Sequence, residues 1–284
     1  MNLAQVLNGI ALGALLMILS SGLAMIYGLR GVMNFSHGAL YMLGAYIAYA
    51  VTTKTSFWAA LILAPLGLAL AGAALELGLL RRLQERSPIE VGLITFGLAL
   101  VLERVIVLIW GDDTHPVNAP DAINGTASVL GTEYPTYRLF IIGVAAVMAI
   151  ALILWLRRSR TGLHIRAASH DTETSSILGI NTDRVSLVVV CLGSALAGLA
   201  GTLAAPYFSV QPGMGQAILI TVLIVVVVGG IGSIEGAMAA GLLLGLVQIM
   251  GNVWLPSVSV LVPYALLIVV LLWRPTGLAG KRVA

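Results

Sequence analysis

Nine long, nearly uncharged apolar runs constrain this chain more than any other feature of its sequence. They fall near residues 6–28, 37–53, 58–80, 91–110, 138–156, 186–205, 217–230, 237–254 and 258–273. A helix needs about 20 apolar residues to cross the hydrocarbon core of a bilayer, and fewer where it is broken or shielded by protein. The runs lack strict polar–apolar alternation and are too long for barrel strands, so they read as helices. Only 10% of the 284 residues are Asp, Glu, Lys or Arg, and the mean hydropathy is +1.02. A water-facing surface takes roughly a quarter charged residues. A soluble enzyme, a disordered chain and a disulfide scaffold are therefore excluded. The single cysteine, Cys191, lies within an apolar run and has no partner for a disulfide. The expected fold is all-α: one polytopic transmembrane helix bundle over residues 1–284, with eight or nine crossings and some broken helices.

Basic residues set the expected orientation, because they collect on the cytoplasmic side. Arg81, Arg82 and Arg86 form one basic loop, and Arg157, Arg158, Arg160, Arg166 and Arg184 a second. Arg274, Lys281 and Arg282 form a third at the C-terminus. The opposite connections, 52–57, 111–137 and 206–216, hold only Lys54, with Arg138 at the edge of one. The longest of them carries Asp112, Asp113, Asp121 and Glu133 instead. The expected arrangement has the N-terminus outside and the C-terminus in the cytoplasm. Arg30 is the first basic residue, so the first run lacks the charged lead of a signal peptide and is read as retained. The net charge of +3 is too small to point to nucleic acid. Residues 28–38 read either as a cytoplasmic turn or as an interruption at membrane depth.

Small residues spaced four apart let helix backbones approach closely in lipid. Gly9 and Gly13, Ala197 and Gly201, and Gly241 and Gly245 make three such faces. Polar groups inside a span are costly and normally face protein or a water-filled path. Asn34, Ser36, His37, Glu76, Glu103, Arg104 and Glu235 qualify, each open to a packing role or a place on a path. Glu103 and Arg104 are adjacent and point about 100° apart, so each needs its own partner. Arg81 or Arg82 is the expected partner of Glu76. A half-helix starting near Ser36 is positioned to aim its amides at a carboxylate.

Motifs for chemistry are missing. Gly280-Lys281 is followed by Arg282, not by the Ser or Thr of a Walker phosphate loop, and no His-Glu-x-x-His pair occurs. Gly229, Gly230, Gly232 and Gly236 do not match the dinucleotide fingerprint. The longest cytoplasmic segment, 157–184, carries apolar Leu163, Ala167, Ile177 and Leu178. Asp171 or Thr172 is placed to cap a helix that Gly179 would end. The segment reads either as a short amphipathic helix that docks on another protein or as a solvated basic loop.

Four motifs, in order along the chain, resemble a known family. Tyr27-Gly28-Leu29-Arg30-Gly31-Val32-Met33-Asn34-Phe35-Ser36-His37-Gly38 is similar to the G-x-x-N-F-[AS]-H-G signature of bacterial branched-chain amino-acid ABC importer permeases. Thr161-Gly162-Leu163 with Arg166-Ala167, followed by Leu178-Gly179-Ile180-Asn181, resembles that family's cytoplasmic coupling loop. Gly229-Gly230-Ile231-Gly232-Ser233-Ile234-Glu235-Gly236 resembles its glycine-rich element, and Trp273-Arg274-Pro275-Thr276-Gly277-Leu278 its ending.

The resemblance implies a permease subunit of the inner membrane, not an enzyme. Its partners would be a second related permease, two cytoplasmic ATP-binding subunits and an extracytoplasmic solute-binding protein. ATP and Mg would sit on the ATP-binding subunits and no cofactor on this chain. Residues 161–181 would couple to those subunits, and loop 111–137 would either help receive the binding protein or be a solvated loop with no partner. Asn34, Ser36, His37, Glu103, Gly230, Gly232 and Glu235 are the candidates for the translocation path. The cargo would be branched-chain or other hydrophobic amino acids. The alternatives are urea, short amides or small aromatic acids in the same fold, or an ion-coupled secondary transporter.

Overall fold

The computed structural model describes residues 2–280. Lys281 and Arg282, two of the basic residues expected at the cytoplasmic C-terminus, lie outside the described residues. Nine long apolar helices make up the bundle: α1 (Leu3–Arg30), α2 (His37–Lys54), α3 (Phe57–Gly78), α4 (Pro88–Trp110), α5 (Thr136–Arg158), α8 (Thr182–Phe208), α9 (Met214–Gly229), α10 (Ile234–Trp254) and α11 (Val262–Trp273). Two short helices, α6 (Arg160–His170) and α7 (Thr172–Ile177), stand between α5 and α8. By length and composition, seven helices are able to cross a membrane, α11 doing so together with the 3₁₀ turn Pro256–Leu261 before it. The 18-residue α2 and the 16-residue α9 complete the set. All nine expected runs fall on these nine helices.

Contacts between helix ends sort the bundle into two poles. At one pole Arg30, ending α1, reaches Ser186 near the start of α8. There too Arg157, ending α5, meets Glu235 at the start of α10. This pole carries the basic loops. At the other, Asn8 of α1 accepts from Tyr134 and Arg138, and the backbone of His115 pairs with that of Val210. The apolar pair Phe57 and Trp58, starting α3, packs edge-on against Tyr137 and Phe140 of α5 at the same pole.

The core is α1, wrapped by α8, α9, α10 and α5. Gly9 and Gly13 of α1 face Gly245 and Gly241 of α10 so closely that a Cβ on Gly13 would stand 2.8 Å from the Cα of Leu242. Two of the small-residue faces thus meet each other. The third presents Gly201 of α8 to the backbone of Tyr41 and Ala45 in α2. Such contacts replace lipid by close-packed backbone, the main source of helix association where burial from water no longer drives it.

Within loop 111–137, a β-hairpin forms from β1 (Thr126–Val129) and β2 (Thr132–Pro135). Its turn holds Leu130 in the left-handed region (φ 49°) with the side chain almost wholly exposed. Tyr134 of β2 is buried against α1, and that burial pushes its hydroxyl pKa up.

Candidate functional site

All four motifs converge at the basic pole. The glycine-rich element 229–236 turns the chain from α9 into α10, with Gly230 and Gly232 at φ 103° and 80°, a region that favours glycine. The C-terminal motif clasps this turn, because Leu278 N–H donates to Val228 O (2.8 Å) and Ala279 N–H to Gly229 O (3.0 Å). Gly28, from the first motif, abuts Gly232, where a Cβ would come within 3.1 Å of the carbonyl oxygen. The same element is tied to the end of α5 by the Arg157–Glu235 ion pair (2.6 Å). Both side chains of that pair are more than half exposed, so it positions more than it stabilises.

From this junction α6 and α7 project as a folded unit. Ser159 caps α6 by accepting from Gly162 N–H (2.8 Å), and Gly162 packs against the backbone of Leu156, where a Cβ would clash. Asp171 caps α7 through Thr174 N–H (3.0 Å). Hydrogen bonds from the Thr174 hydroxyl and N–H hold the Asp171 carboxyl below its ordinary pKa. Gly179 follows in the left-handed region at φ 85°, and Asn181 caps α8 through Arg184 N–H (2.9 Å). Leu163, Arg166, Ile177, Leu178 and Gly179 are exposed, while Thr161, Ala167 and Ile180 are half-buried. Ile177 and Leu178 are about four-fifths exposed, a pair of large apolar side chains held outward by capped helices.

Residues 31–36 interrupt the helical run between α1 and α2. Leu19, whose carbonyl meets His37 Nε2 at 3.0 Å, stands eleven residues before Arg30, about 16 Å along α1. The chain therefore reaches the basic pole at Arg30 and folds back into the bundle before α2 begins. Asn34, Ser36 and His37 are all buried there. Asn34 Oδ1 accepts from Ser36 N–H (3.1 Å) and Oγ (2.6 Å), Phe35 N–H donates to Thr95 Oγ1 (3.1 Å), and His37 N–H donates to Asn34 O (3.2 Å). Of the amides at this helix start, those of Phe35, Ser36 and His37 are already engaged. This element locks α2 to α1 and α4.

Glu76 differs from expectation in its partner. Fully buried in α3, it pairs with Arg30 of α1, whose guanidinium also donates to Ser186 Oγ (3.0 Å) and Leu80 O (3.1 Å). Arg81 turns instead to Asp183, at 3.8 Å. Sequence distance hid Arg30, which joins three helices at once.

A second surface runs along one face of α4. Pro88, Ile89, Gly92, Leu93 and Phe96 wall an apolar cavity of about 460 Å³ at the basic pole, lined on its other side by Tyr27, Gly31, Val32, Met33 and Phe35. Phe96, Ala99 and Glu103 continue the same helical face against Ala39 and Met42 of α2 and Gly215, Gln216 and Leu219 of α9. Phe35 and Phe96 stand between the two spaces and line both. At the far end Gln216 Nε2 donates to Glu103 (2.7 Å). Arg104 is exposed and has no ion-pair partner among the described residues. Of the expected path residues, Glu103 alone lies on this face. Asn34, Ser36 and His37 are buried behind it, and Gly230, Gly232 and Glu235 belong to the junction. Sequence reading missed Gln216, Phe35 and Phe96, although the spacing 89, 92, 96, 99, 103 was available to show the stripe.

A bundle with seven helices long and apolar enough to cross a membrane, and a folded projection at its basic pole, fits a multi-pass membrane subunit. The chain belongs to the family of branched-chain amino acid transport system permease components, whose model matches residues 5–271. It is 32% identical to the high-affinity branched-chain amino acid transport system permease protein LivH of Salmonella typhimurium, covering 98% of this chain and 96% of that one. BraD of Pseudomonas aeruginosa, a permease protein of the same description, is 30% identical over the same shares. LivM of Escherichia coli, also so described, is 26% identical over 92% of this chain and 67% of its own length. No solved structure matches the chain.

Proposed function

We propose that this chain is one of two related permease subunits in an inner-membrane ABC importer of branched-chain or other hydrophobic amino acids. ATP is hydrolysed on two separate cytoplasmic subunits, and an extracytoplasmic binding protein delivers the cargo. The relatives' printed descriptions support the cargo class, and the similarity to both LivH and LivM supports pairing with a second permease. On this reading the basic pole is cytoplasmic, and the hairpin tip at Leu130 is the surface offered to the binding protein.

One observation carries the coupling role: Ile177 and Leu178 are held outward by a capped helix pair rooted in the junction of all four motifs. An ATPase groove that receives this apolar pair moves α6 and α7, and with them α5, α10 and the clasped turn. Turning a permease over from one conformation at 1:99 to 99:1 takes about 5.5 kcal/mol of differential binding. A helix pair transmits that preference; a loose loop would not. The α4 face, with its polar end exposed toward the chain's exterior, is the wall of a path completed by the second permease.

The test is Leu178→Asp in proteoliposomes holding the complete importer. The expected result is normal assembly of the permeases in the membrane and at least a tenfold loss of ATP-driven leucine uptake. Uptake at the unaltered rate contradicts the coupling role.

A further inference from the structure

Glu103 is singular among the acidic side chains. Glu76 pairs with Arg30, Glu235 with Arg157 and Asp183 with Arg81, and Glu90 closes a capping box at the start of α4. The remaining acids lie in the connecting segments outside the long helices. Glu103 stands fifteen residues into α4, about 22 Å from Pro88 along the axis. At that depth it has a neutral amide, Gln216, and no cation among the described residues. Arg104, next in sequence, leaves the helix about 100° away. A carboxylate within a membrane span is costly unless it meets a positive charge or lines a wet path.

Below it lies an apolar pocket formed by Phe35, Ala39, Met42, Phe96, Ala99 and Leu219. A carboxylate and an amide oxygen above an apolar pocket match one ligand chemistry: a primary ammonium carried next to an apolar side chain.

We propose that Glu103, supported by Gln216, is the counter-charge for the ammonium group of a zwitterionic amino acid on its way through the membrane. The inference rests on the permease reading and sharpens its cargo. Uncharged ureas and amides leave Glu103 uncompensated, and aromatic carboxylates are repelled by it. The pocket holds only about 10 Å³ in this structure, room for one water at most. Substrate therefore enters when α4, which meets the bundle chiefly through α2, swings away from α2 and α9.

Two measurements test this. In proteoliposomes with the complete importer, Glu103→Gln should cut leucine uptake at least tenfold, and Glu103→Asp should recover part of it. Separately, Gln216→Cys in a Cys191→Ser chain should react at least fivefold faster with a cationic methanethiosulfonate than with an anionic one. That preference should vanish when Glu103→Gln is added. Unaltered uptake in Glu103→Gln alongside working wild-type transport removes the counter-charge and leaves the permease reading standing. If the wild-type importer carries no leucine, the permease reading fails, and the labelling still decides Glu103. Equal labelling by the two reagents overturns the assignment.

Discussion

Helices α1 and α4 have the same mean hydropathy and opposite fates. In their most apolar windows 89% of α1 is buried by protein, against 22% of α4. What separates them is side-chain size and polarity. α1 carries Gly9, Gly13, Gly22 and Ser20, through which α8 and α10 come within backbone contact. α4 presents Ile89, Leu93, Phe96, Val101 and Leu108, all exposed on this chain. In a bilayer, hydropathy puts a helix into the membrane, and small residues put it inside the protein.

The comparison breaks first at the buried charge in the core. Removing one partner of a buried ion pair costs about 3–5 kcal/mol, because the other is left charged and unpaired. Arg30→Ala should therefore lower the thermal unfolding midpoint of the detergent-purified chain further than any single change on α4. Arg30→Met with Glu76→Leu should recover much of the loss. A small shift in Arg30→Ala would mean that water already reaches the pair.

Glycine size gives the next largest contrast. Gly13→Leu in α1 forces a side chain into Leu242 and should lower the yield of monodisperse protein. Gly97→Leu in α4 meets no atom within 4 Å and should leave both yield and melting unchanged. Size-exclusion profiles of the two variants decide it, and equal damage would erase the distinction between core and rim.

The smallest effect belongs to the projecting helices. Asp171→Ala removes the cap of α7, so hydrogen exchange over residues 171–178 should quicken while the bundle amides stay protected. The folded Asp171 pKa is depressed, so its contribution is present above the unfolded pKa and lost as pH falls through the folded one. Acidification of the unaltered chain should accordingly loosen the same segment first.

Much of the fold was legible because lipid imposes a simple rule on sequence: nine apolar runs became nine helices, and Asp171, Gly179 and Asn181 end and begin helices as their chemistry dictates. The site was legible in pieces. Gly229–Gly236, Trp273–Leu278 and Tyr27–Gly38 are separate motifs in the chain, and only tertiary structure brings them to one junction. Asn34 and His37 are polar within a span, which marks them equally as path or as packing; the structure buries both, with Asn34 Oδ1 on Ser36 and His37 Nε2 on the carbonyl of Leu19. Arg30 was hidden as the partner of Glu76 because 46 positions separate them. Gln216 was hidden because an amide carries no charge to draw the eye.

The account turns on whether residues 160–181 engage a separate motor. A photo-crosslinking residue at Leu178 in the intact, membrane-embedded importer tests this most directly. The expected result is a covalent adduct between this chain and an ATP-binding subunit, formed at a yield that changes when ATP is added. Adducts to lipid alone, or none to an ATP-binding subunit with or without ATP, would contradict the central claim.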